Sequence, residues 1–235
     1  MTPGKIFLSE QRGIEESNIS KTTMTFNSNN YYDEHKQPFR NLTALNDELL
    51  VPSGKLEVST KEASHLLIIP ITGDLFYQGT PHHDITEVNI GEVKICSLTA
   101  GNKLSIHNPY GSDFINFLQI WIRDESILEN QSLKPVAFDM SKSLNHLVPV
   151  VPPATSTPKP LPFALSIGQF GGRAETIYNL KNKNNTFFTF IISGAFEING
   201  RLMHPRDGLA LWDVNSIEIE ALSTEATLLC LELFN

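Results

Sequence analysis

Few side chains in this sequence have the type and spacing that metal binding or catalysis requires. The candidate histidines are His65 and His107, each isolated from other histidines, and the pair His82-His83, which precedes Asp84. An imidazole can bind a divalent metal ion or transfer a proton near neutral pH. The sequence contains no HExxH motif, no GxSxG motif, no glycine-rich phosphate loop and no CxxC pair. These absences argue against several common classes of hydrolase, nucleotide-binding enzyme and zinc protein.

The cysteines and the loop histidines have simple structural explanations. Cys96 and Cys230 lie far apart in apolar, strand-like segments, which predicts reduced and buried thiols. His82 and His83 follow Pro81 in a loop, where adjacent side chains usually point into solvent. Binding of a metal ion at this loop is the alternative that the residue types leave open.

The composition argues against nucleic-acid and membrane partners. The 26 acidic and 18 basic residues give a formal net charge of -8 at pH 7, which repels phosphate backbones and anionic lipids. No basic cluster offsets this charge. No apolar run approaches the roughly 18 residues of a membrane span, and residues 1–12 lack the apolar core of a signal peptide. We therefore expect a cytoplasmic protein.

The elements that would position these side chains are predicted to be β-strands. Period-2 alternation and β-branched or aromatic clusters dominate the chain, and two apolar runs interrupted by glycine, residues 68–75 and 190–196, recur in its two halves. Asn199-Gly200 predicts a type I′ hairpin turn. The pattern indicates an all-β chain built as a duplicated barrel. The predicted strands are residues 66–72, 74–78, 93–98 and 114–122, then 187–193, 195–198, 209–212, 216–221 and 227–233, with short helical turns expected near 125–130 and 140–147.

A proline-rich segment separates the two halves. Residues 132–162 contain seven prolines, and proline cannot donate a hydrogen bond to a central strand. We therefore predict an N-terminal barrel over residues 1–131, a connector over residues 132–162 and a C-terminal barrel over residues 163–235.

Short motifs spread over nearly the whole chain occur in a characteristic order. The motifs are Thr25-Phe26, Asn30-Tyr31-Tyr32-Asp33, Leu45-Asn46-Asp47, Ala100-Gly101, Phe117-Leu118-Gln119-Ile120-Trp121-Ile122, Ile198-Asn199-Gly200 and Asp207-Gly208-Leu209-Ala210-Leu211-Trp212-Asp213. In this order and spacing the chain resembles the pirin family of bicupins, which includes bacterial members described as quercetin 2,3-dioxygenases. The resemblance implies two double-stranded β-helix (jelly-roll) barrels packed face to face, with any metal ion in the N-terminal barrel.

The resemblance also implies a set of metal-ligand positions. Active members hold divalent iron, nickel or copper with an H-x-H pair before the strand that ends at the glycine, and with a later His and Glu two residues apart. Counted back from Gly73, the first pair falls on Ser59 and Lys61; counted forward from Ala100-Gly101, the second pair falls on Ile106 and Asn108. These side chains do not replace imidazoles and a carboxylate, and a lysine ammonium repels a cation. We therefore predict no metal cofactor.

Other alignments of these positions lead to the same prediction. A two-residue gap that matches Asn108-Pro109 to the family's Asn-Pro moves the second pair to Leu104 and Ile106. The same offsets in the second half lead to Leu180 and Asn182, which are equally unsuitable.

His65 is the best-placed histidine for a pocket. It shares strand parity with Ser59 and Lys61, so its ring is expected to point into the first barrel. His107 has the opposite parity to Ile106. For both histidines, a buried or rim position with purely structural hydrogen bonds is the alternative.

Three functions are compatible with this sequence. The first, which we favour, is a metal-free pirin-like bicupin that binds a small molecule or a protein partner. The second is a quercetin 2,3-dioxygenase-type oxidoreductase, which needs a redox metal because triplet dioxygen reacts slowly with closed-shell organic molecules. The third is a metal-independent enzyme in which a desolvated Lys61 acts as a base or Schiff-base nucleophile.

Overall fold

The computed structural model describes residues 2–28, 30–79, 84–152 and 160–234. These residues form two compact units, which we call the N-terminal unit (residues 12–137) and the C-terminal unit (residues 2–11 and 138–234). His82 and His83, the predicted loop pair, lie outside the described residues.

Both units consist of short antiparallel strands joined by turns. The first thirteen strands are β1 (Gly4–Phe7), β2 (Gly13–Glu16), β3 (Ser20–Met24), β4 (Leu42–Leu50), β5 (Lys55–Ser59), β6 (Ser64–Thr72), β7 (Leu75–Gly79), β8 (Ile85–Val88), β9 (Glu92–Leu98), β10 (Lys103–His107), β11 (Ile115–Arg123), β12 (Gln131–Ser132) and β13 (Val136–Ala137). The remaining strands are β14 (His146–Val151), β15 (Phe163–Phe170), β16 (Glu175–Asn179), β17 (Thr186–Ser193), β18 (Phe196–Ile198), β19 (Arg201–Met203), β20 (Gly208–Leu211), β21 (Ser216–Ala221) and β22 (Ala226–Leu233).

The N-terminal unit has an eight-stranded and a four-stranded sheet. The larger sheet has the order β12-β9-β6-β11-β4-β3-β2, with β13 also paired to β9, and the smaller has the order β5-β10-β7-β8. Side chains from both sheets form one apolar core, which consists of Leu50, Leu66, Ile68, Leu75, Tyr77, Val88, Cys96, Leu98, Leu104, Ile106, Ile115 and Phe117. Alternate residues of each strand face this core because strand side chains have a period of two.

The C-terminal unit repeats this plan. Its larger sheet has the order β1-β20-β17-β22-β15-β14, and its smaller sheet has the order β16-β21-β18-β19. Its core includes Phe170, Phe187, Phe196, Leu209, Ile217 and Leu228. Strand β22 is buried along its whole length, as expected for a central strand covered on both faces. The predicted all-β fold of two jelly-roll barrels is confirmed.

The repeated glycines end equivalent strands of the two units. Gly73 follows β6 with a φ of +75°, and Gly194 follows β17 with a φ of +70°. A Cβ atom on Gly73 would lie 2.6 Å from Cγ2 of Ile115. Only glycine combines that backbone conformation with so close an approach.

The predicted hairpin turn at Asn199-Gly200 is confirmed. Both residues have positive φ, 46° and 71°, as a type I′ turn requires, and they join β18 to β19. Of the two short helical turns expected, the one near residues 140–147 is found as the 3-10 helix Ser141–Ser143, after which β14 begins at His146. The one near residues 125–130 is wrong, because these residues form turns and no helix.

The two observed units do not match the predicted domains, whose boundaries follow residues 131 and 162. Strand β1 pairs with β20, so the first residues of the chain belong to the C-terminal unit, with Phe7 buried. The described part of the proline-rich segment, residues 132–152 and 160–162, is not a separate connector. Its start pairs with β9 through β12 and β13, and its Pro149 lies in the edge strand β14, where the missing N–H is tolerated.

None of the described residues forms a helix long and apolar enough to cross a membrane.

Candidate ligand site in the N-terminal unit

A cavity of about 460 Å³ opens inside the N-terminal unit. Small-molecule sites commonly have volumes of about 300 to 1,000 Å³. Strands β3, β4, β5 and β11 form most of its walls. The lining residues are Thr22, Asn27, Ser28, Pro38, Arg40, Thr43, Ala44, Asn46, Glu48, Leu56, Glu57, Val58, Ser59, Lys61, Glu62, Ser64, Gln119, Trp121 and Arg123.

A polar cluster forms the inner wall of this cavity, centred on the buried carboxyl group of Glu48. The Thr22 hydroxyl donates a 2.6 Å hydrogen bond to one carboxylate oxygen, and the Gln119 side-chain amide donates a 3.1 Å bond to the other. Strand register explains the cluster, because Thr22 lies opposite Glu48 and Asn46 lies opposite Gln119. Asn46 and Glu48 are two residues apart on β4 and therefore face the same side.

The pKa of Glu48 is raised from 4.5 to about 7. Burial is the main cause, because it disfavours the charged form. The hydrogen bond from Thr22 lowers the pKa, the negative charges of Asp47 and Glu15 raise it, and the positive charge of Arg12 lowers it. Arg12 lies 3.6 Å from Asp47 in an ion pair. The cavity thus contains a carboxyl group that titrates near neutral pH.

Beside Glu48 the wall offers a second acceptor. Asn46 is buried, and its amide oxygen has no hydrogen-bond partner among the described residues. Buried polar atoms are normally satisfied, so an unpartnered atom in a cavity marks a place where a ligand or water can bind. The apolar part of the wall comes from Leu56, Val58 and Trp121, which pack against the core.

The predicted ligand positions Ser59 and Lys61 line the cavity, but both residues are exposed to solvent. Strand β5 ends at Ser59, and residues 60–63 form a turn before β6 begins. The count back from Gly73 assumes an unbroken strand, but it passes through residues 60–63, which are not in a strand. The count therefore does not show which face of β5 a side chain occupies. On β5 it is Leu56 and Val58 that pack against the core.

The other two predicted positions serve the fold. Ile106 is fully buried in the apolar core. Asn108 is also buried, and its side-chain nitrogen donates to the carbonyl oxygens of Val51 at 2.9 Å and Asp113 at 2.7 Å, while its oxygen accepts from the Tyr110 N–H at 2.9 Å. Asn108 thus holds the loop between β10 and β11 against the end of β4.

Two pairs of core-facing residues occupy neighbouring strands. Leu56 and Val58 on β5 lie directly opposite Ile106 and Leu104 on β10. This is the arrangement that an H-x-H pair and a later pair two residues apart would need on adjacent strands, but all four side chains are aliphatic. These residues do not fit a metal ion. Among residues 2–28, 30–79, 84–152 and 160–234, no group of three or more His, Cys, Asp or Glu side chains could hold one.

His65 does not point into the barrel, so this expectation was wrong. Leu66 and Ile68 face the core, which turns His65 to the opposite face of β6. Its ring lies 2.9 Å from the Ser97 hydroxyl and 3.0 Å from the Asp124 carboxylate. Burial would raise the pKa of Asp124, but hydrogen bonds from Ser126 and His65 outweigh it and the pKa is lowered. The sequence could not show which face of the strand His65 occupies, because β6 is apolar on both faces.

The remaining candidates form no second site. His107 contacts the Ser105 hydroxyl at 3.0 Å, and burial and the nearby Lys55 lower its pKa. As expected, both cysteines are buried and unpaired. In the C-terminal unit Leu180 packs against the core and Asn182 is exposed.

Sequence reasoning missed Glu48 and Gln119. Their only signal is polarity within apolar strands. Asn46, Asp47 and Glu48 are consecutive on β4, and Gln119 is the one polar residue between Phe117 and Trp121 on β11. This pattern does not show which of the side chains faces inward, and only the tertiary structure decides it.

Comparisons with known proteins agree with the predicted resemblance. Residues 163–233 match the sequence model of the quercetinase C-terminal cupin domain family. A quercetin 2,3-dioxygenase from Escherichia coli K12 is 24% identical over 207 residues, which cover 87% of this chain and 88% of that protein.

Solved structures share the fold over nearly the full length. YhhW from Escherichia coli has a TM-score of 0.85 and 21% identity, with 98% of this chain and 97% of that chain covered. The Escherichia coli bacterial pirin YhhW in complex with nickel(II) has a TM-score of 0.84 and 21% identity, with coverage of 98% and 99%. The predicted resemblance to pirin-family bicupins is confirmed.

Proposed function

Starting from this resemblance to pirin-family bicupins, we propose that the protein binds a small organic molecule in the N-terminal cavity without a resident metal ion. The observation that carries the proposal is the aliphatic set Leu56, Val58, Leu104 and Ile106 on two neighbouring strands, next to a cavity whose inner wall is polar. Aliphatic side chains offer no lone pair to a metal ion, whereas the cavity offers a ligand both apolar surface and hydrogen-bonding groups.

The cavity residues would hold such a ligand by distinct interactions. Trp121, Leu56 and Val58 would cover its apolar part, and Asn46 and Glu48 would bind its polar part. Gln119 and Thr22 orient the Glu48 carboxyl group through one hydrogen bond each. Binding and orientation are thus supplied by this chain's own residues.

Metal content tests the first half of the proposal. The protein is purified without added chelator, and its iron, nickel and copper are measured together with quercetin consumption. We expect far less than one metal ion per chain and no turnover. Near-stoichiometric metal with quercetin turnover would support the dioxygenase instead.

Ligand binding tests the second half. A fragment library screened by NMR should shift amide signals of β4 and β11, and the cavity-filling substitution Ala44→Trp should abolish those shifts. Ile177→Trp, at an exposed position in the C-terminal unit, is the matched control and should leave them unchanged. If the shifts persist in Ala44→Trp, the ligand binds elsewhere.

Two alternatives keep their own tests. The name of the Escherichia coli relative favours a dioxygenase, which the metal measurement decides. Lys61 lines the cavity but is exposed, whereas Schiff-base lysines are normally desolvated. Reductive trapping of a carbonyl compound on Lys61 would support that enzyme. Cytoplasmic location and binding of a protein partner stay predictions.

A further inference from the structure

Resting on the proposed function, we infer that the Asn46–Glu48 wall of the N-terminal cavity recognises the primary ammonium group of a small organic cation with an apolar body. The inference concerns the polar end of the ligand, which the proposed function leaves open.

The first argument is the supply of acceptors. Asn46 presents a buried amide oxygen without a partner in the described part of the chain. Each oxygen of Glu48 accepts one hydrogen bond, from Thr22 or Gln119, and can accept another. An ammonium group has three donors and no acceptor, so it complements the remaining acceptor capacity of Asn46 and Glu48.

The second argument is the local charge. The strands that flank Glu48 place the uncharged Thr22 and Gln119 against its carboxyl group. The charged groups that act on it are Asp47 and Glu15, which are negative, and Arg12, which is ion-paired with Asp47. The charges of Asp47 and Arg12 offset each other, and Glu15 is exposed and therefore screened, so no net positive charge beside Glu48 opposes a bound cation.

The charged side chains at the rim of the cavity have little effect on the charge balance at Glu48. Arg40, Lys61 and Arg123 line it together with Glu57 and Glu62, and these five side chains are solvent-exposed. Water and salt screen exposed charges much more strongly than buried ones. Arg123 also lies 3.7 Å from Glu62 in an ion pair.

The third argument is the apolar wall beside the acceptors. Trp121 faces the cavity from β11, one strand away from Asn46, and Leu56 and Val58 face it from β5. An indole can cover an aromatic or alkyl body and also attract a cation through its π face. The cavity therefore combines an apolar surface with an acceptor-rich end.

Binding is expected to depend on pH through Glu48. A bound ammonium stabilises the ionised carboxylate, so Glu48 releases a proton when it binds. Since the carboxyl titrates at about 7 in the free protein, affinity should rise about tenfold between pH 6 and pH 8. An alkylammonium stays charged throughout this range.

The experiment compares benzylamine with benzyl alcohol, which has the same aromatic body and no charge. Both are titrated into the intact protein at pH 8 and followed by NMR. We expect benzylamine to bind about tenfold tighter or more, and Glu48→Gln to remove that preference. Glu62→Gln, which removes a carboxylate from the exposed rim of the same cavity, should leave it unchanged.

Calorimetry of the unmodified protein provides a second measurement that does not depend on a variant. At pH 7 the binding heat of benzylamine in phosphate and in Tris buffer should differ by the heat of about half a proton released per complex.

Each outcome decides the inference. Equal binding of the alcohol and the amine in the cavity overturns the inference but leaves the proposed function intact. Binding of neither compound, or an unchanged preference in Glu48→Gln, overturns the inference as well, while the fragment screen separately decides whether the cavity binds small molecules.

Discussion

Among single residues, Glu48 has a protonation equilibrium that the fold moves into the neutral range. Its carboxyl group is buried in a cavity wall, with one hydrogen bond to each oxygen. The shift of its pKa from 4.5 to about 7 corresponds to about 3 kcal/mol of free energy. Between pH 4.5 and about pH 7, Glu48 is mostly protonated in the folded protein and mostly ionised in the unfolded chain. The free energy of unfolding therefore falls as the pH rises through this range.

The substitution Glu48→Gln removes this titration. The stability difference between the variant and the unmodified protein should therefore grow in favour of the variant by about 3 kcal/mol between pH 4.5 and pH 8. Urea unfolding at several pH values measures this difference in the free energy of unfolding. Glu62→Gln is the exposed control, and its free energy of unfolding should depend on pH in the same way as that of the unmodified protein. If the free energy of unfolding of Glu48→Gln has the same pH dependence as that of the unmodified protein, Glu48 has an ordinary pKa.

Asn108 illustrates the opposite case, a suspected site residue whose side chain serves the fold. Asn108→Ala deletes the hydrogen bonds of this buried side chain to the backbone of Val51, Asp113 and Tyr110. Chemical denaturation should show a loss of about 2 to 4 kcal/mol. Lys103→Ala, at an exposed position of β10, should change stability by less than about 0.5 kcal/mol. A similarly small change for Asn108→Ala would contradict this structural role.

At the scale of elements, the turn between β5 and β6 decides which residues face the barrel interior. Residues 60–63 leave the strand, so the offset counted from Gly73 does not preserve parity. The antiparallel register between β5 and β10 instead places Leu56 opposite Ile106 and Val58 opposite Leu104. A one-residue error in such a count moves every side chain to the wrong face.

Rebuilding a metal site tests this register. The combined substitutions Leu56→His, Val58→His, Leu104→His and Ile106→Glu should create nickel binding, seen as near-stoichiometric metal and a nickel-dependent rise in melting temperature. The comparison variant carries Ser59→His, Lys61→His, Ile106→His and Asn108→Glu and should not bind nickel. Both are refolded with nickel present, because polar groups destabilise an apolar core until they bind the metal. Equal nickel binding by both variants would contradict the register argument.

At the scale of the whole molecule, the start of the chain belongs with its end. Strand β1 pairs with β20, and the Phe7 ring is buried 6.1 Å from the ring of Phe188. The two-part division therefore does not follow chain order, although the proline-rich segment lies close to the place where the chain passes from one unit to the other.

Phe7→Ala should destabilise the C-terminal unit by about 3 to 5 kcal/mol, because it empties a buried aromatic position. Hydrogen exchange should show the loss at the amides of β20 and its neighbours in that unit. Ile6→Ala, on the partly exposed opposite face of β1, is the matched control and should have a small effect. Loss of protection confined to the N-terminal unit would contradict the assignment of β1.

Local patterns determined much of the fold. The glycines after β6 and β17, the Asn199-Gly200 turn and the alternating apolar strands predicted an all-β duplicated barrel, because turn conformation and strand period depend on neighbouring residues. The motifs that resemble pirin-family bicupins were also recognisable in the sequence, and the comparisons agree with that resemblance.

Tertiary structure alone decided the face of each strand and the partners of each polar group. His65 lies in a strand that is apolar on both faces, and Glu48 ends a run of three consecutive polar residues that begins at Asn46, so the sequence does not show which face either side chain occupies. In the structure His65 faces away from the barrel core and Glu48 lines the cavity. The pairing of β1 with β20 is equally non-local, since about 200 residues of chain separate the partners and no local signal encodes that contact.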